Sequence, residues 1–165
     1  MNSLEERLRP FMARPETDIE SMIRSFGIDL DMTASLHPDI VGQIAKLGER
    51  YKISVQGSDH INRKRFTAAH ELGHFLYHRD LLGDGVDDDK MYRSKNVGQF
   101  FNRSIKPRHE TEANNFAAQI LMPQRHVRSE HMRHHGQLRD IARAFAVSPA
   151  AMRIRLDSLG LPVHE

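Results

Sequence analysis

Arg65-Phe66-Thr67-Ala68-Ala69-His70-Glu71-Leu72-Gly73-His74-Phe75-Leu76 is the stretch on which the reading of this 165-residue chain turns. Phe66, Ala69, Leu72, Gly73 and Leu76 recur at helical spacing, which marks a buried helix, and Thr67 reads as its N-cap. His70 and His74, four residues apart, then stack on one face, where both imidazoles reach one metal ion. Glu71 projects from the edge of that face, where its carboxylate meets a water beside the ion. The pattern H-E-x-x-H in a buried helix points to metal-assisted hydrolysis, with zinc as the metal and Glu71 as the base. Gly73, lying between the histidines, leaves room for a second element to pack close.

A catalytic zinc takes three protein ligands and keeps one position open. His78 extends the series but lies about 12 Å along the axis from His70, too far to share an ion on an unbroken helix. It reads as a helix-end residue or a supporting partner. A longer metzincin pattern would need Gly and His where Tyr77 and Asp80 stand, so that option fails.

The third ligand is expected from His109-Glu110-Thr111-Glu112-Ala113-Asn114-Asn115-Phe116-Ala117-Ala118-Gln119-Ile120-Leu121-Met122-Pro123. Ala113, Phe116, Ala117, Ile120 and Leu121 form an apolar helical stripe that Pro123 ends, and its small residues suit packing on the helix of Gly73. Glu110 and Glu112 compete for the ligand role. They lie roughly 200° apart around a helix, so both cannot face the metal equally. Glu110 is preferred, with Asn114 one turn on and able to orient a ligating histidine; Glu112 stays open.

Arg65-Phe66-Thr67-x-Ala69-His70-Glu71-x-x-His74, followed by Glu110-x-x-Ala113-Asn114-x-Phe116-Ala117-Ala118-x-x-Leu121-Met122-Pro123, resembles the ImmA/IrrE family of zinc metallo-endopeptidases. The resemblance is strong over these two segments and looser from about residue 40 to 161. It implies His70, His74 and Glu110 as ligands of one Zn2+ per chain, Glu71 as general base, and a gluzincin-like mechanism. It also implies a regulatory substrate, typically a helix-turn-helix repressor of stress-response or mobile-element genes. Asn114 stands where related zincins often carry an aspartate; an amide orients a ligand without adding charge.

Composition agrees with a single hydrolase domain. The chain is long enough for one ordinary core. It has no cysteine, so every metal ligand must be N or O. The segment Met1 to Pro10 is charged and lacks a signal-peptide core, and no apolar run approaches a membrane span, so a cytoplasmic location is expected. A formal charge of +2 is too small to argue for nucleic-acid binding.

Elsewhere, Thr17 to Phe26 reads as a short amphipathic helix stopped at Gly27, and Ile40 to Lys46 as a second helix ending near Gly48. Tyr51 to Val55 alternates as a strand, with a turn at Gly57-Ser58-Asp59. A strand beside the active-site helix would offer its edge to an extended peptide. Gly83 to Asp89 is acidic without calcium-loop spacing and reads as a solvated, mobile connection. Met91 to Ser94 reads as a short strand and Ser94 to Lys106 as a loop suited to substrate contacts. Tyr92 and Arg93 are candidate oxyanion donors, weighed against plain packing and surface charge. His126, His131, His134 and His135 read as a solvated helix with some loop.

Leu138 to Leu161 reads as helix, turn, helix, with Ser148 capping the second helix and Pro149 in its first position. DNA contact through Arg153 and Arg155 competes with a structural hairpin; the hairpin is preferred, because no basic stripe supplies phosphate affinity. The expected architecture is α+β and zincin-like: mostly helical, with a small mixed sheet and a C-terminal helical hairpin. One domain spans residues 1–165, residues 1–16 are flexible, and the helix-turn-helix-like residues 137–161 pack on the domain. The expected function is zinc-dependent endopeptidase action on a repressor. The alternatives are a non-cleaving partner that sequesters a repressor, or belongs to a toxin–antitoxin pair, and a DNA-binding protein.

Overall fold

The computed structural model describes residues 3–165. In chain order it runs α1 (Leu4–Leu8), α2 (Ile19–Arg24), β1 (Asp29–Ala34), β2 (Gly42–Leu47), β3 (Arg50–Gln56), α3 (Ile61–Tyr77), β4 (Gly85–Asp88), α4 (Pro107–Leu121), α5 (Gln124–Arg133), α6 (Leu138–Phe145) and α7 (Pro149–Ser158). Ile23–Ala117 form one compact unit; residues up to Met22, together with Ala118–Glu165, form another.

The first unit is built on a mixed four-stranded sheet ordered β1-β3-β2-β4. β1 runs parallel to β3, and β2 is antiparallel to both β3 and β4. Ile44 sits opposite Ile53 on one side and Val86 on the other, and all three are fully buried. β2 and β3 close through Gly48-Glu49, with Leu47 paired to Arg50. Gly48 takes φ +64°, a left-handed conformation that glycine adopts without steric cost.

α3 contacts β2 and β3. Gly42 allows the approach to β2: a Cβ there would stand 2.3 Å from Thr67 Cγ2 and 3.0 Å from Glu71 Oε2. Gly73 does the same on the α4 side, where a Cβ would meet Phe116 Cδ1 at 3.1 Å and Ala113 Cα at 3.2 Å. The small-residue face of α4 therefore packs on the helix of Gly73, as its sequence suggests.

Four local expectations are corrected. The expected helix over 40–46 is replaced by strand β2: Ile40 and Ile44 share a face at both helical and strand periods, and pairing with β3 and β4 makes the segment a strand. Thr67 is not an N-cap: α3 starts at Ile61, where the His60 ring accepts from Asn62 N at 3.0 Å. Thr67 lies buried in mid-helix with its hydroxyl 3.2 Å from Tyr92 Oη. Gly83 to Asp89 is not a solvated connection, since it contains β4, whose four residues are all buried. Met91 to Ser94 forms a turn with Tyr92 at φ 54°, closed by hydrogen bonds to Asp89 and by a bridge between Asp88 and Ser94.

In the second unit, α1 starts on Ser3, whose hydroxyl accepts from Glu6 N at 3.2 Å. The buried Thr17 hydroxyl donates to Ile120 O at 2.7 Å. α6 and α7 pack together around buried Ile141, Phe145, Met152 and Leu156. Ser148 caps α7 by accepting from Ala151 N at 3.1 Å, with Pro149 following it. Arg155 Nε donates to Met122 O at 3.0 Å and Arg153 pairs with Glu165, so both arginines already have partners within this unit. Among the described residues no helix is long and apolar enough to cross a membrane.

Candidate metal centre

His70, Glu71 and His74 lie in the buried middle of α3, which runs from Thr67 to Phe75 without an exposed residue. One helical turn brings the two imidazoles to a centroid distance of 4.7 Å. Glu110, in the first turn of α4, places Oε1 3.4 Å from His70 Nε2 and 2.5 Å from His74 Nε2. Asp88, the last residue of β4, places Oδ2 3.3 Å from His70 Nε2 and 3.6 Å from His74 Nε2. His70, Glu71, His74 and Asp88 offer ligand atoms that all lie within 4.8 Å of one another.

The outer nitrogens of both rings are also held. Asn114 Oδ1 lies 2.8 Å from His70 Nδ1. An amide oxygen only accepts, so Nδ1 carries the proton and Nε2 turns a lone pair inward. His74 Nδ1 lies 2.9 Å from His78 Nδ1, and His78 Nε2 lies 3.4 Å from Glu112 Oε2. The Glu112 carboxylate accepts from His78 Nε2, His78 Nδ1 accepts from His74 Nδ1, and His74 Nε2 faces inward against Glu110 Oε1 at 2.5 Å.

Electron-rich atoms thus converge with no proton of their own to share. His70 Nε2, both oxygens of Glu71, both of Asp88 and Glu110 Oε2 are buried without a hydrogen-bond partner. Leaving such groups unpaired is costly, and a bound cation removes the cost. With no cysteine in the chain, the donor set is nitrogen and oxygen, which suits a borderline divalent ion. Without a metal, protons take its place. Burial lowers the affinity of His70 for a proton, but Asp88 and Glu110 outweigh it and raise its pKa to about 9. Burial, and then the Asp88 charge, hold the Glu71 carboxyl well above the usual carboxylate range.

The structure places Glu110 against His70 and His74, and Glu71 beside them with Asp88. Glu112 turns away, half-exposed and beside His78. His78 caps the end of α3 and supports His74. Tyr92 stacks 4.9 Å from the His70 ring with its hydroxyl on Thr67, whereas Arg93 is exposed and paired with Asp89. Sequence reasoning missed Asp88. Its local run is acidic, and Val86, one β-branched residue among aspartates, was the only hint of a buried strand. Glu110 also lines a cleft of about 550 Å³ with Arg93, Phe101, Asn102 and Lys106.

A small mixed sheet backing a helix with H-E-x-x-H, and carboxylates reaching its histidines from two other elements, define a zincin-like peptidase domain. The chain belongs to the family of the IrrE N-terminal-like domain (Peptidase_M78), whose model matches residues 23–157. No curated protein matches the chain.

Proposed function

We propose that this protein is a zinc-dependent endopeptidase with a regulatory protein substrate. The observation that carries the reading is the pair of inward-facing Nε2 atoms of His70 and His74, with Glu110 Oε1 against both. His70, His74 and Glu110 would hold the ion. When bound, zinc polarises a scissile carbonyl and makes water more acidic.

The remaining work falls to the chain. Glu71 is excluded from solvent and lies against Gly42, where no side chain crowds it. Its carboxylate, beside the metal ligands, would take a proton from the attacking water and return it to the leaving amine nitrogen. The water oxygen joins the carbonyl carbon, the C–N bond breaks, and a carboxylate and an amine leave. Asn114 and His78 keep the histidine tautomers fixed throughout. The 550 Å³ cleft beside Glu110 would receive a peptide, and Arg93, Lys106 and Phe101 on its wall suit acidic and apolar side chains.

The substrate class, a helix-turn-helix repressor, is supported by the family resemblance of residues 65–74 and 110–123. The test compares wild type with Glu71→Gln on a candidate repressor, following new peptide termini by mass spectrometry. The expected result is cleavage by wild type only, with equal zinc in both proteins. Repressor control that survives Glu71→Gln would favour sequestration without cutting and overturn the peptidase reading.

A further inference from the structure

The Asp88 carboxylate faces the two inward histidine nitrogens. It is fully buried, with Oδ2 3.3 and 3.6 Å from the two Nε2 atoms and neither oxygen hydrogen-bonded. Donors bound to one zinc at about 2.0–2.1 Å in tetrahedral arrangement lie roughly 3.3 Å from one another. The His70–Asp88, His70–Glu110 and His74–Asp88 separations of 3.3, 3.4 and 3.6 Å are close to that edge, whereas His74–Glu110, at 2.5 Å, is shorter. Two histidines and two carboxylates thus face one another as four donors.

The strand that carries Asp88 is also strapped. Asp87 N donates to Phe100 O at 2.9 Å, Lys95 N to Asp87 O at 3.1 Å, and Asp89 N to Arg93 O at 3.0 Å. The Asp87 carboxylate accepts from Gln99 N and Phe100 N, both at 2.6 Å, and from Gln43 Nε2 at 2.7 Å. Gly98, at φ +80°, comes so close to Asp87 Oδ2 that a Cβ would stand 2.7 Å away. The outer edge of β4, the edge a peptide would need for strand addition, is taken by residues 93–100.

We infer that Asp88 is a fourth protein ligand, so that the conformation seen is a latent one in which Asp88 closes the metal and residues 93–100 cover the strand edge. Four protein ligands are also the mark of a purely structural site. Glu71 decides between the two: a structural site has no use for a third buried carboxylate with both oxygens unpaired, whereas a hydrolytic one does. Activation then consists of withdrawing Asp88, which frees a coordination position beside Glu71. This inference rests on the metallopeptidase reading.

The test uses the full chain loaded with Co2+, whose visible spectrum reports coordination, and acetohydroxamate as the probe of an open position. The wild-type spectrum is expected to be unmoved by the probe, and the water-proton relaxation of that sample to show no exchangeable water on the ion. Asp88→Asn is expected to keep one Co2+ and to give a saturable spectral shift with the probe. A wild-type sample that already shifts, or that relaxes water through a bound exchangeable molecule, overturns Asp88 as a ligand and leaves the peptidase reading standing. The relaxation measurement decides the matter alone if Asp88→Asn does not fold. Failure of folded wild type to take up Co2+ overturns the metallopeptidase reading itself, and the inference with it.

Discussion

Asn114 Oδ1 lies 2.8 Å from His70 Nδ1, across 44 residues of chain, and so determines which nitrogen of His70 faces the centre. Removing that acceptor frees the ring to rotate or change tautomer. Asn114→Leu is expected to weaken zinc binding about 10- to 100-fold, the usual effect of losing such a support. Asn114→Asp keeps the acceptor and should bind at least as tightly as wild type. Competition against a chelator of known affinity checks both variants, with circular dichroism to confirm the fold.

His78 supports His74 as Asn114 supports His70, but its own partner is weaker. His78→Phe removes the acceptor 2.9 Å from His74 Nδ1 and should cost a similar 10- to 100-fold in metal affinity. Glu112→Gln should change affinity little, because its contact is 3.4 Å and its side chain is 54% exposed. The same competition titration ranks them. Equal losses would contradict the relay.

Gly42 sets how closely α3 approaches the sheet. Gly42→Ala places a methyl 2.3 Å from Thr67 Cγ2, an overpacking expected to destabilise the protein by about 1–3 kcal/mol in urea unfolding. Thr67→Ser removes that Cγ2, so the double variant should recover part of the loss. Strict additivity would show that the clash is relieved elsewhere.

Metal uptake should depend on pH with a definite sign. In metal-free protein the His70 pKa is raised from 6.5 to about 9. Its folded value exceeds its unfolded one. Its contribution to stability is therefore complete below about pH 6.5 and is lost as pH rises through about 9. A metal must displace that proton, so zinc affinity should climb between pH 6.5 and 9 as the thermal stability of the metal-free protein declines. Titrations in a zinc buffer at several pH values, paired with melting curves, measure both trends.

How far this was legible in the sequence differs from element to element. His70, Glu71, His74, Glu110 and Asn114 could be read because helical spacing places side chains by simple angular arithmetic. Helix α7 could be read because Ser148 and Pro149 are local start signals. β2 could not, since Ile40 and Ile44 satisfy both periodicities and only pairing with β3 and β4 separates them. β4 was hidden by its charge. Asp87 is buried because Gln43 and the distant backbone N–H groups of Gln99 and Phe100 satisfy it. No local window contains those partners, and with β4 the sequence reading also lost Asp88.

The central claim is a metal held by α3 and α4, and crystals of the full chain purified with zinc address it most directly. Anomalous diffraction at the zinc edge should give a single peak within bonding distance of His70 Nε2, His74 Nε2 and a Glu110 oxygen, with His70→Ala crystals lacking it. A zinc-saturated crystal with no peak between those atoms, or a peak that persists there in His70→Ala, would contradict the account.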